Sequence, residues 1–246
     1  MKSRKNIVPS LFTMLNLFFG FFAVLSALKG KFVTASWFIF VAAIWDVLDG
    51  KIARMTHTHS DFGIEFDSLA DVVSFGVAPS VLIYQVYLYK LGPVGVILSF
   101  FPLLFGAIRL ARFNVSQEDV EEKENFSGLP IPAMSVTLAA YVIFNYDLWE
   151  GLRVGELLIP LTILLCVLMV SNVEYQAMPK FSFRQDKRNS ILLILVLLGI
   201  AIVLLFRQKV LFPLTFGFVL FYLFKSLLGG HKAEDEDDVF DISIPE

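Results

Sequence analysis

Four aspartates, Asp46, Asp49, Asp67 and Asp71, lie inside or against long apolar stretches. The first run reads D-V-L-D-G-K-I-A-R from Asp46 to Arg54, and the second reads G-I-E-F-D-S-L-A-D from Gly63 to Asp71. A carboxylate at membrane depth costs at least roughly 2.5–3.5 kcal/mol, so an acid held there marks function. Four carboxylates this close must protonate, pair or bind cations. Oxygen ligands without His or Cys suit hard ions, Mg²⁺, Mn²⁺ or Ca²⁺. Two such ions about 3.5–4 Å apart are a recurrent device of phosphoryl chemistry.

On one helix, Asp46, Asp49 and Ala53 fall at offsets that share a face, and Gly63, Asp67 and Asp71 do the same on the next. The turn from Thr56 to Phe62 is short, so the two helices are expected as antiparallel neighbours with both acidic faces in one cavity. At 1.5 Å per residue, Asp46 lies roughly 13 Å below Met55, in the cytosolic half of a bilayer. Gly50, Ala53 and Gly63 lack bulk, which permits close helix packing or leaves room for a flat ligand. Arg54, beside Ala53, can meet a phosphate.

The elements that must position these groups are membrane helices. The chain has 246 residues, 57% hydrophobic and 17% charged, against about 25% charged in a soluble domain. Mean hydropathy is +0.71, and the apolar residues come in runs near the ~20 residues a spanning helix needs. We read an all-α, polytopic transmembrane bundle with about eight spans, near 9–29, 32–55, 65–88, 93–113, 130–149, 154–173, 190–206 and 209–228. The spans form one catalytic domain over 1–232, followed by an acidic, disordered cytoplasmic tail over 233–246. Two connections, Asn114 to Leu129 and Glu174 to Asn189, are longer and polar. Lys and Arg placement favours both termini in the cytoplasm, which opens the acidic hairpin toward the cytosol. The first span reads as a retained helix, because no small-residue cleavage site follows it. Lys2 to Ser10 reads as an interfacial arm or a frayed terminus. The single cysteine, Cys166, excludes an intramolecular disulfide, and no basic stripe suggests nucleic acid. His57 and His59 read as solvated turn residues, and the basic run from Lys180 to Arg188 as a topology determinant.

The spaced residues match a known signature, D-x-x-D-G-x-x-A-R-x8-G-x-x-x-D-x-x-x-D, and the chain thereby resembles the CDP-alcohol phosphotransferases. It matches at Asp46, Asp49, Gly50, Ala53, Arg54, Gly63, Asp67 and Asp71, with no departure. Three further stretches, S-F-G-V-A-P-S from Ser74, R-L-A-R-F-N from Arg109 and F-S-G-L-P-I-P-A from Phe126, are similar to the bacterial-type phosphatidylserine synthases of that family. So is T-M-L-N-L-F-F-G from Thr13. The resemblance implies a six-helix catalytic core, here about 9–173, with the last two spans extra. It implies a homodimer in a bacterial or archaeal cytoplasmic membrane, displacing CMP from a CDP-linked lipid with a hydroxyl nucleophile.

Carried over by position, the resemblance implies that Asp46, Asp49, Asp67 and Asp71 hold two divalent ions, Mg²⁺ or Mn²⁺, and that Asp71 is the general base. Asp49, Gly50, Ala53, Arg54, Gly63 and Asp67 would line the CDP site. The donor would be CDP-diacylglycerol and the acceptor L-serine. Serine brings a carboxylate, so its pocket should hold a cation. Arg109 and Arg112, three apart near a helix end, could fork onto that carboxylate or onto the lipid phosphate, or snorkel to head groups. Asn114 and Asn16 are further candidate polar contacts. Glycerol 3-phosphate and inositol phosphate are alternative acceptors, and an archaeal-type lipid is an alternative donor. A cation- or proton-coupled transporter would also use buried acids, but such folds pair corresponding halves, and here the acids are confined to one hairpin.

Overall fold

The computed structural model describes residues 10–56, 61–117, 125–171, 173–176 and 207–228. The amino-terminal arm, the His57/His59 turn, the basic run from Lys180, the expected span at 190–206 and the acidic tail lie outside the described residues.

Helix α1 (Leu11–Leu28) starts at Ser10, whose hydroxyl accepts from the Phe12 amide at 3.1 Å and so satisfies a free helix-end donor. Gly30, at φ 72°, makes the turn into α2 (Phe32–Thr56). The buried face of α1 is small or polar: Thr13, Asn16, Gly20, Ala23, Ser26 and Ala27. Its bulky residues, Phe18, Phe21 and Phe22, point outward. This inversion of the soluble pattern belongs to a membrane, where lipid takes the large apolar groups and small residues let backbones approach.

The third span is continuous from Phe62 to Val86 but is not one regular helix. It runs as α3 (Asp61–Asp71), a π-helical segment (Val72–Val77) and α4 (Ala78–Val86). Pro79 explains the widened turn. It has no amide hydrogen, and its ring would strike the carbonyl of Phe75 in a regular helix. The ladder instead shifts by one residue, with the Ala78 amide bonded to the Val73 carbonyl.

Helix α5 (Pro93–Gln117) follows, with Pro102 in its interior. Helix α6 (Ile131–Trp149) is the central element, and its buried residues run from Ile131 to Asn145. Helix α7 (Leu158–Val170) and helix α8 (Leu211–Leu228) complete the bundle. Six of the described helices are long and apolar enough to cross a membrane, and the apolar helix over Gly155–Val170 is shorter. The protein is an integral membrane protein of helical spans, as its hydropathy predicts.

One small sheet was not foreseen. Strand β1 (Asn125–Ser127) pairs antiparallel with β2 (Glu174–Gln176), with Phe126 opposite Tyr175. The two polar connections therefore meet rather than forming separate loops. Gly128, at φ 84°, leads out of β1, with its amide bonded to the Val173 carbonyl at 2.9 Å. The Tyr175 ring is buried against Phe218 and Tyr222 of α8, and this burial pushes its phenol up to about 12.

Candidate active site

The acids converge as their spacing predicts. Asp46 of α2 and Asp67 and Asp71 of α3 each offer a carboxylate oxygen, and these oxygens lie within 4.8 Å of one another. Asp71 is buried, and Asp46 and Asp67 are half-buried. Such a set cannot stay fully charged and unsupported at this depth. Asp67 Oδ1 is buried with no hydrogen-bond partner among the described residues. Clustered carboxylates with an unpartnered oxygen fit a hard divalent cation, and Asp46, Asp67 and Asp71 could hold one.

Asp49 stands one helical turn from Asp46, close enough to act electrostatically on Asp46 and Asp67. It is 7% exposed, and one of its carboxylate oxygens accepts a hydrogen bond from the Thr13 hydroxyl. Asp71 is held in the same way: Asn16 Nδ2 donates to its Oδ1 at 2.9 Å. Helix α1, which carries no acid, thus reaches both acid-bearing spans. It packs along α2 and against the π segment and α4. Among the described residues, helix α2 meets the third span chiefly at the π segment and α4. The second and third spans are therefore neighbours, as their short connection predicts, and among the described residues they approach most closely beyond the acids. Helix α1, which also packs on α3, links the two acid-bearing stretches through Thr13 and Asn16.

The two arginines separate. Arg109 lies near Asp71, where their charges interact, and its Nε is buried without a hydrogen-bond partner among the described residues. Arg112 is exposed, and its Nη1 donates to the Val170 carbonyl at 3.4 Å. That carbonyl ends α7, where a positive charge is favoured. The structure does not bring the pair together as one clamp. Asn114 is half-buried and donates from Nδ2 to Ser68 Oγ at 3.0 Å, beside Asp67. Gly50 is exposed and Gly63 half-buried. Ala53 and Arg54 lie in the last turns of α2, with side chains outside the described set.

Two contributors escaped the sequence reading, Thr13 and Ser74. Ser74 sits in the π segment, and its hydroxyl donates to the backbone carbonyl of Asn16 at 3.0 Å. Thr13, Asn16 and Gly20 do share one helix face, and polar residues on the small-residue face of a span were the available signal.

The family model of the CDP-alcohol phosphatidyltransferases matches residues 6–171 of this chain. A CDP-diacylglycerol–serine O-phosphatidyltransferase of Helicobacter pylori is 42% identical over 199 residues, covering 80% of this chain and 81% of that one. An archaetidylserine synthase of Methanothermobacter thermautotrophicus is 34% identical over 171 residues, covering 68% and 69%. A CDP-diacylglycerol–serine O-phosphatidyltransferase of Bacillus subtilis is 37% identical over 142 residues, covering 58% and 78%. The matched residues hold the whole acidic cluster together with the α1 and α5 residues around it, and the chain belongs to the CDP-alcohol phosphatidyltransferase family.

Proposed function

We propose that this protein transfers a phosphatidyl group from CDP-diacylglycerol to the hydroxyl of L-serine, giving phosphatidylserine and CMP. The observation that carries the reading is the meeting of Asp46, Asp67 and Asp71 in one partly buried cluster, in a chain whose relatives named above all make a serine lipid. Family membership removes the transporter alternative.

The serine oxygen attacks the phosphorus that bears the lipid, and the bond from that phosphorus to the CMP oxygen breaks. Asp71 takes the hydroxyl proton as the new bond forms. Its Oδ1 is engaged by Asn16, which leaves the second oxygen for the proton. Asp46, Asp49, Asp67 and Asp71 would hold two divalent ions, Mg²⁺ or Mn²⁺, with Ca²⁺ suited to the same oxygens. Bound there, the ions would neutralise the pyrophosphate and stabilise departing CMP. By their positions in the signature, Gly50, Ala53, Arg54 and Gly63 would line the nucleotide site with Asp49 and Asp67. The lipid tails stay in the bilayer, the nucleotide enters from the cytoplasm, and the enzyme works as a homodimer in the cytoplasmic membrane.

Arg109 supports serine as acceptor. Among the described residues it is a guanidinium near the base with an unused donor, which suits one carboxylate. A phosphate-bearing acceptor would call for a second cation, and among the described residues Arg112 donates to the end of α7. Arg109→Ala should raise the serine KM by about 10-fold or more, the scale of a lost hydrogen bond to a charged group. The KM for the CDP-lipid should change less. Arg112→Ala should alter the serine KM by less than about threefold, as expected of an exposed charge. An unchanged serine KM in Arg109→Ala would remove this residue from the acceptor pocket.

Purified protein supplied with CDP-diacylglycerol, Mn²⁺ or Mg²⁺ and a panel of hydroxyl acceptors should release CMP with serine. Release with glycerol 3-phosphate or inositol phosphate but not serine would overturn the acceptor. No release with any acceptor would overturn the reaction.

A further inference from the structure

Helix α1 brings no acid to the site, yet its side chains touch an aspartate on each of the two acid-bearing spans. Thr13 and Asn16 are three residues apart on one face, 3% and 0% exposed. The Thr13 hydroxyl donates to Asp49 on α2. The Asn16 amide donates to Asp71 on α3, at 2.9 Å. The helix is itself held in height and rotation. Ser74 Oγ donates to the Asn16 carbonyl at 3.0 Å, and Gly20, on the same face, lies so close to Ser74 that a methyl group would not fit between them.

Asp49 and Asp71 belong to different helices, and like charges on them favour splaying apart. Each carboxylate is instead tied to a neutral donor on one rigid element. We propose that Thr13 and Asn16 are positioning residues, which set the spread of the carboxylates before metal and CDP-lipid bind. Each takes up one oxygen of its aspartate and thereby selects the rotamer that presents the other. Neither residue need touch the substrate, because each acts through its aspartate. The proposal rests on the reading of the aspartates as metal ligands.

Mn²⁺ binding to the purified full-length protein, measured by calorimetry without CDP-lipid, tests it alongside steady-state kinetics. Thr13→Val and Asn16→Leu keep side-chain volume and remove the donor. Each should weaken Mn²⁺ binding and lower kcat by about 10-fold or more, the scale for partners that orient metal ligands. The serine KM should stay within about threefold. Thr13→Ser restores the hydroxyl and should recover both quantities. Asp46→Asn serves as the reference. If Asp46→Asn binds Mn²⁺ as the parent does, the metal-site reading itself fails. If Asp46→Asn is impaired while Thr13→Val and Asn16→Leu bind Mn²⁺ normally, the positioning role alone is overturned. If Thr13→Val does not fold, Thr13→Ala takes its place, and normal Mn²⁺ affinity in that variant overturns the role of Thr13. Asn16→Ala substitutes for Asn16→Leu on the same terms.

Discussion

Asp71→Asn should lower kcat by about 10²–10⁴-fold, the range for loss of a general base, while CDP-lipid binding stays measurable. The change is nearly isosteric, so α3 and its junction with the π segment keep their packing. The Asn16 amide can still donate to the side-chain oxygen at this position, because a carboxamide retains one acceptor. The ability to take a proton from the serine hydroxyl is lost. On the proposed reading, Asp46, Asp49 and Asp67 would still hold the nucleotide end through divalent cations, so binding should weaken without vanishing. Single-turnover CMP release and calorimetry of CDP-lipid binding separate the two effects. Turnover near that of the parent would remove Asp71 from the role of base. Loss of CDP-lipid binding equal to the loss of turnover would make it a ligand only.

Gly20→Ala should damage both stability and activity, although the residue touches no substrate. A Cβ there would stand 2.7 Å from Ser74 Cα and 2.8 Å from Ser74 Cβ. Neither atom can swing aside as the tip of a long side chain could, so α1 must move off the π segment. Overpacking of this kind costs about 1–3 kcal/mol. The displacement would also draw Asn16 away from Asp71 and Thr13 away from Asp49. We expect a fall in Tm in detergent together with a loss of kcat, and partial recovery of both when Ser74→Gly is added. Gly217→Ala is the matched control, since a Cβ on that glycine of α8 would meet no atom within 4 Å. Equal Tm and kcat for Gly20→Ala and the parent would mean that α1 can shift without consequence for the acids.

Much of this arrangement was legible in the chain. Length and hydropathy located six spans among the described residues, because a bilayer imposes helices of a narrow length range. Burial cost singled out Asp46, Asp49, Asp67 and Asp71, and helix periodicity brought three of them into one cluster. What could not be read was the bridge. Nothing in the spacing of α2 and α3 says that α1 would reach both, because inter-helix contacts depend on tilt and rotation, which hydropathy does not encode. The arginines show the same limit. Arg109 and Arg112 share a helix face by spacing, yet one faces Asp71 and the other the end of α7, a choice made by neighbouring helices. The pairing of β1 with β2 was hidden for a related reason: the strands are short, distant in sequence, and lie in polar stretches without alternation.

The π segment has a consequence for how the third span divides its work. One extra residue in a helix rotates everything beyond it by about 100°. The span is thus two helices of different phase on a common axis. The acid-bearing half is phased for chemistry, turning Asp67 and Asp71 toward Asp46. The deeper half is phased for cohesion, turning Ala78, Leu82 and Ile83 into the bundle core. A regular helix would have to compromise between these orientations. With the phase break placed directly after Asp71, substitutions that tune the acid-bearing half need not repack the other, and the core can change without turning Asp67 and Asp71 away from Asp46.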